Sequence, residues 1–323
     1  MLFALTLGDP AGIGPEITIK ALSSKENHFP VVVIGDYTVL KNAATILGVK
    51  PEFNLVSDVK EYRESAINIM DLNILSSEQY SLGSAQPLCG KASYLYIQKA
   101  IDLAVAHKVD AVITNPINKE SLKMAGINFP GHTEIFASRT NTFDYSMLFL
   151  LKNVGVAHVT THCSLKVAIE LISKQRVLKN IYLLDKAMRK LGVNRPRIAV
   201  GGLNPHAGEH GLFGDEEILH IIPAIKQASE EGLKVSGPYP PDTVFMRAFR
   251  GEFDGIVSML HDHGFVALKS MDFEHGVNIT IGLPIIRTSV GHGTAYDIAG
   301  KGSASDESLK AALKAAWLLY KNS

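Results

Sequence analysis

LFALTLGDPAGIGPEI, residues 2–17, is the stretch on which the fold reading turns. A mostly apolar run stops at Gly8, and Gly8-Asp9-Pro10 forbids both a longer strand and a direct passage into helix. Helix begins where Pro15 sits in a first turn and Glu16 faces the positive end of the dipole. The order is strand, turn, helix. The glycines do not fit G-x-G-x-x-G, and no Lys-Ser/Thr follows Gly14, so this is neither a dinucleotide fingerprint nor a Walker loop. A turn and a cap account for it without a ligand. The apolar start is too short, and lacks the basic flank, for a signal peptide or a membrane span.

The same alternation continues along the chain. Further strands are expected over 31–35, 67–72, 110–115, 146–151, 157–162, 197–202, 254–260 and 277–283. Several are continuously apolar, as central strands covered on both faces are. Helical patterns lie between them: 91–108, with Leu95, Ile101, Leu103 and Val105 near one stripe; 215–232, ending in a glycine; and 307–321. The expected class is α/β, two-lobed α/β/α layers around a mostly parallel mixed sheet with a cleft between the lobes. No repeat or flexible linker separates the lobes. Breaks near 128–132 and 288–293 give a first lobe of 1–130 plus 290–323 and an inserted second lobe of 131–289.

With 323 residues, 46% hydrophobic and 20% charged, the chain has the composition of a soluble globular enzyme and not of a disordered one. Lys+Arg and Asp+Glu are both 32, so no global basic field invites nucleic acid or an acidic membrane surface. Cys89 and Cys163 make no disulfide framework and no CxxC, which fits a reduced, cytoplasmic setting with both thiols buried.

Ligands of α/β sheets bind beyond the carboxyl ends of the strands. Polar residues collect there: Gly8-Asp9-Pro10, Asn115-Pro116, Thr161-His162, Asn204-Pro205-His206 and His261-Asp262-His263. Three of these exits deliver a histidine. His162, His206 and His261 would make a set of neutral imidazoles suited to Zn²⁺ or another borderline divalent ion, although their wide spacing carries no short metal signature. A hydrogen-bonded loop histidine is the plainer alternative for each. His210, between Glu209 and Gly211, reads as a solvated loop residue. His132, in PGHTE, stands at a helix start, either as part of a cap with Thr133 and Glu134 or as an anion contact.

Lys269, Asn278 and Arg287 are the remaining polar residues in apolar settings. An arginine ending the apolar run GLPII must be paired or reach solvent, and an amide inside VNITIGL must be bonded. Together they suit a phosphate or a carboxylate. HGTAYDIAGKG, 292–302, is a loop of small residues that a cofactor could approach closely.

GDPAGIGPEI, FPGHTE, TTH, GLNPHAGE, GPYPPDTVF, HDHG, GVNITIGLPIIRTS and HGTAYDIAGKG run in order from residue 8 to residue 302. This series resembles the PdxA family, the 4-hydroxythreonine-4-phosphate dehydrogenases of vitamin B6 (pyridoxal 5'-phosphate) biosynthesis. The first and last motifs also look like the GDGIGPE and HGTAPDIAGK elements of isocitrate and isopropylmalate dehydrogenases, which have a two-lobed, non-Rossmann fold. The resemblance implies metal ligation by His162, His206 and His261. It implies substrate contacts at His132, Thr133, Lys269, Asn278 and Arg287, and a cofactor site at Gly293, Thr294 and Asp297. The cofactors implied are NAD, with NADP as the alternative, and a divalent metal, Zn²⁺ or else Mg²⁺ or Co²⁺. The partner is a second copy of the chain, in a homodimer whose active site is completed across the interface.

The activity implied is oxidation of 4-phosphohydroxy-L-threonine at C3 to a β-keto acid, which decarboxylates to 3-amino-2-oxopropyl phosphate. The first lobe would serve the cofactor, and the second the metal, the substrate and the dimer contact. Asp242, in PPDTVF, is either a carboxylate orienting a ligating imidazole or a helix N-cap; Lys269 and Asp242 are the candidates for general base. Two positions depart from the family: HDQG reads HDHG at His263, and VDHGTA reads VGHGTA at Gly291, where a carboxylate near the cofactor loop is lost. The alternatives are a paralogue acting on D-threonate or D-erythronate 4-phosphate, a metal-dependent lyase or hydrolase on a phosphorylated metabolite, and a silent phospho-ligand binder.

Overall fold

A computed structural model describes residues 1–24, 29–76, 78–272 and 274–323. They form two compact units, 1–143 with 283–320 and 144–282 with 321–323. In the first unit the strands are β1 (Phe3–Thr6), β2 (Val31–Gly35), β3 (Phe53–Leu55), β4 (Ile67–Asp71), β5 (Ala111–Thr114) and β12 (Ile286–Val290). The helices are α1 (Gly14–Ser23), α2 (Tyr37–Ile46), α3 (Pro87–Val105), α4 (Lys119–Met124), α5 (His132–Arg139) and α11 (Glu307–Lys321). The strands lie in the order β3-β4-β2-β1-β5-β12, every neighbour parallel, so the loops after β1, β5 and β12 leave at one edge.

The second unit holds β6 (Ser146–Leu151), β7 (Val154–His158), β8 (Ile198–Gly201), β9 (Val235–Tyr239), β10 (Gly255–Ser258) and β11 (Val277–Ile281). Its helices are α6 (Leu165–Leu171), α7 (Lys174–Lys190), α8 (Ile222–Glu230), α9 (Val244–Phe249) and α10 (His261–Met271). The order is β11-β6-β7-β10-β8-β9; β11-β6 and β6-β7 are antiparallel and the rest parallel. The mostly parallel, mixed α/β class expected from the sequence is what the chain forms.

Several local readings are corrected. The breaks fall at 143/144 and 282/283, both inside the stretch expected as the second lobe, so His132, Thr133 and Arg287 belong to the first unit. Packing explains this: α5 puts Ile135 and Phe136 into the first unit's core, and β12 pairs with β5 there. The expected strand 157–162 starts earlier and ends at His158, because its pairing with β6 across a tight hairpin sets the register. Strands β3, β9 and β12 were missed. β9 contains Gly237-Pro238 and is tolerated only because it is an edge strand. In α3 the buried stripe runs through Ala92, Tyr96, Ala100 and Ala104, while Val105 is exposed. Cys89 is buried, but Cys163 is exposed on the loop before α6. Among the described residues no helix is long and apolar enough to cross a membrane.

Candidate functional site

The three histidine exits follow β7, β10 and β8, adjacent parallel strands of the second unit, so they open at the same edge of its sheet. His261 is the first residue of α10, and its Nδ1 donates to Asp262 Oδ1 at 2.7 Å, which leaves Nε2 as the ring nitrogen available to a ligand. The His162 ring lies 5.8 Å from that of His261, centroid to centroid. Two imidazoles on one tetrahedral zinc sit roughly 5–6 Å apart by this measure. The donor chemistry and spacing of this pair therefore fit a divalent ion.

His206 does not join them. Among the described residues no three His, Cys, Asp or Glu side chains gather closely enough to hold a metal. The exposed His206 ring lies 6.2 Å from Phe213 and on the wall of a cavity of about 930 Å³ with Asp242 and His263. Its backbone is unusual. His206, Ala207, Gly208, Glu209 and His210 all have φ between 44° and 81°, a left-handed turn that strains each non-glycine residue by roughly 1–2 kcal/mol. Asp242 is exposed, with no hydrogen bond to an imidazole among the described residues. Nor does it cap α9, whose N-cap is Thr243.

One face of α10 reads His261, Phe265 and Lys269 at i, i+4 and i+8. The Phe265 ring lies 4.4 Å from His261 and 5.5 Å from Lys269 Nζ, and it stacks at 4.9 Å on His158. His158 is 2% exposed, and burial, reinforced by the His261 ring, pushes its pKa down to about 3. It is a neutral buttress. Asn278, on β11, stands opposite Phe149 in the ladder, and its buried Oδ1 lacks a hydrogen-bond partner. Sequence reasoning missed both Phe265 and His158, since an aromatic at helical spacing and a strand histidine look like ordinary core.

The first unit carries the anionic-ligand candidates. Arg287 is the second residue of β12, 2% exposed, and donates from Nη2 to Thr114 Oγ1 at 2.8 Å. Burial lowers its pKa to about 9, against the partial opposition of Glu134. His132 opens α5 without any side-chain cap, contrary to the capping alternative. Burial and the Arg287 charge hold its pKa well below the usual range, and its Nε2 is buried without a hydrogen-bond partner. Thr133 follows on the same turn.

The two glycine-rich motifs turn out to be one structure. Glu16, 2% exposed, accepts from the backbone N–H of Gly300 and of Gly302. Lys20 Nζ donates to the carbonyls of Gly302 and Ala304 at 2.8 and 2.6 Å. Tyr296 donates to Asp9 Oδ2 at 2.8 Å, and the Ile13 N–H reaches the Thr294 carbonyl. A Cβ on Gly12 would stand 2.8 Å from that same carbonyl oxygen, so only glycine permits the approach. Glu16 is therefore a latch, not merely an acid at a helix dipole. Gly293 and Asp297 remain exposed, with open space above Gly293, and the buried His292 Nε2 has no hydrogen-bond partner. That open surface fits a cofactor better than the inward-facing Thr294 does.

Asp36 directly follows β2, where a Rossmann fold keeps its ribose-binding acid, but it is filled by Ile74 N, Leu75 N and Tyr96 Oη. Glu16→Gln should raise hydrogen-exchange rates at Gly300 and Gly302 by about tenfold, the loss of one charge-assisted bond. Mass-spectrometric exchange on that segment checks it; unchanged rates would mean that the latch does not hold the loop.

Residues 26–316 match the family model described as pyridoxal phosphate biosynthetic protein PdxA. A Symbiobacterium thermophilum protein provisionally named D-threonate 4-phosphate dehydrogenase is 46% identical over 317 residues, 97% of this chain and 95% of the relative. An Oceanobacillus iheyensis protein of the same provisional name is 47% identical, over 97% of this chain and 96% of its own. Among solved structures, 4-hydroxythreonine-4-phosphate dehydrogenase from Klebsiella pneumoniae superposes with a TM-score of 0.88 at 41% identity, covering 99% of both chains. With the family pattern across most of its length and such relatives across nearly all of it, this chain belongs to the PdxA family of dehydrogenases, oxidoreductases acting on CH–OH groups.

Proposed function

We propose that the chain is an NAD-dependent, divalent-metal-dependent dehydrogenase of a four-carbon 4-phosphorylated hydroxy acid, D-threonate 4-phosphate in preference to 4-hydroxythreonine 4-phosphate. The observation that carries this is the His162–His261 pair, 5.8 Å apart, with Asp262 fixing one ring and Lys269 on the same helix face. His162, His206 and His261 would hold Zn²⁺, or Mg²⁺ or Co²⁺ in its place. Gly293, Thr294 and Asp297 would border NAD, with NADP the alternative. When bound, the ion supplies Lewis acidity at the C3 oxygen, and the nicotinamide accepts the C3 hydride.

The chain's own residues do the rest. Arg287, His132 and Thr133 would hold an anionic group of the substrate, a task for which a buried guanidinium and a neutral ring donor are suited. Lys269 and Asn278 would fix the polar groups beside the hydroxyl, which sets the line of hydride departure. Lys269 is the better candidate to take the hydroxyl proton; Asp242 is the other. Hydride and proton lost, C3 becomes a ketone β to the carboxylate; the C1–C2 bond then breaks to release CO₂, and the enolate left behind takes up a proton at C2 to give a three-carbon keto phosphate.

The choice at C2 rests on the relatives: those at 46% and 47% identity carry the provisional name D-threonate 4-phosphate dehydrogenase, whose substrate has a hydroxyl there. The runner-up is 4-hydroxythreonine 4-phosphate, the substrate for which the Klebsiella pneumoniae protein is named; its oxidation would give 3-amino-2-oxopropyl phosphate.

His206 explains the partner. It is exposed and outside the histidine pair, and Leu212, Phe213, Ile218, Leu219 and Ile222 beside it are 44–72% exposed. So large an apolar stretch fits a face that meets a second copy, whose pair His206 would complete. We read the two unbridged thiols as those of a cytoplasmic enzyme.

NADH formation with the two substrates side by side is expected to favour D-threonate 4-phosphate by about 100-fold in kcat/KM. Preference for the amino acid would restore the runner-up, and no reduction with either would overturn the dehydrogenase reading. With the preferred substrate, kcat/KM should fall as pH rises through about 9, where Arg287 of the free enzyme loses its proton. The sign is fixed, because only the protonated guanidinium attracts the anion. In Arg287→Met that limb should vanish and KM rise; an unchanged pH profile would remove Arg287 from the site.

A further inference from the structure

We propose that Glu217 is a positioning residue: its buried carboxylate sets the left-handed turn that presents His206. The inference rests on the reading of His206 as a metal ligand and adds a residue that neither the sequence motifs nor the proposed chemistry assigns.

Glu217 begins a single π-helical turn, Glu217–Ile221, that runs into α8, and it is 2% exposed. Its Oε1 accepts from the backbone N–H of Leu203 at 2.7 Å and of Asn204 at 2.8 Å. Its Oε2 accepts from Asn204 Nδ2 at 2.9 Å, and that amide also donates to Glu216 at 2.7 Å. The donors so gathered immediately precede Pro205-His206. On the far side of the turn, a Cβ on Gly208 would stand 2.7 Å from Glu217 Oε2, at a φ of 81°. The carboxylate thus grips the entry of the turn and backs onto its middle.

The two sides act together. A run of left-handed residues persists only where its surroundings over-determine it. Here the surroundings are one acid with its acceptor sites turned to N–H groups and a glycine that leaves room for it. Glu217 does not touch the imidazole; it acts by fixing where residue 206 starts. Its signal in the sequence was an acid on the buried face of DEEILHII, where solvent exposure was the expected state.

The test uses the full-length protein, with Zn²⁺ affinity measured by chelator competition without substrate, beside thermal unfolding. Glu217→Gln keeps the shape but turns an acceptor into a donor facing N–H groups. Gly208→Ala leaves the acid intact and drives a methyl onto it. Both should weaken Zn²⁺ binding by about tenfold or more, the effect of losing a group that orients a ligand, and both should shift the His206 ring resonances of the metal-free protein. Glu16→Gln, an equally buried acid elsewhere, should leave Zn²⁺ affinity unchanged. Wild-type Zn²⁺ affinity in both turn variants, whatever their melting temperature, overturns the proposal; if Glu217→Gln fails to fold, Gly208→Ala decides alone. His206→Ala separates the two ideas. If it keeps full Zn²⁺ affinity, the ligand reading itself fails; if it loses affinity while the turn variants do not, only the positioning role fails.

Discussion

Neighbouring parallel strands that end at one edge are the constraint on which the site depends. β7, β10 and β8 lie side by side, so the loops that leave them open at the same edge. Parallel pairing thereby does what no local motif could, bringing residues far apart in the chain to one edge. His162 and His261 come together outright, and Asp262 settles which ring nitrogen of His261 remains for a ligand. Phe265 packs against His261 at 4.4 Å and against His158 at 4.9 Å. A burial that keeps His158 neutral also spares that stack a second positive charge beside a cation.

The first unit works by the same rule with different chemistry. Its strand exits converge on a loop whose backbone is held by Glu16 and Lys20 and whose Tyr296 donates to Asp9. What that leaves exposed, around Gly293 and Asp297, is small and open. Arg287 illustrates the opposite choice. A buried guanidinium is costly, and its depressed pKa records that cost, yet a hydrogen bond to Thr114 aims it at one place. Stability is given up there for a fixed positive charge.

The class of the fold was legible in the sequence because apolar runs and glycine-proline stops are local signals. Nine expected strands have counterparts, and 215–232 ends at its glycine as read. The misses share a cause in tertiary context. β12 hides behind the polar residues Arg287, Thr288 and Ser289, each buried only because β5 lies beside it. The unit boundaries depended on which core Phe136 enters, and the register of β7 on a hairpin partner. At the site, histidines at strand ends could be picked out by position. Glu16 and Glu217 could not, since an acid that accepts backbone N–H groups across a long sequence gap looks like any other surface acid until the chain is folded.

The central claim is that one chain supplies the His162–His261 pair and a second copy supplies His206. Subunit exchange between His206→Ala and His261→Ala chains, each inactive alone, tests it most directly by the rate of NADH formation. Mixing should restore about a quarter of the wild-type rate, because about half of the dimers are mixed and each mixed dimer holds one complete site. No recovery in mixtures shown to have exchanged subunits would contradict the account, since all three ligands would then have to come from a single chain.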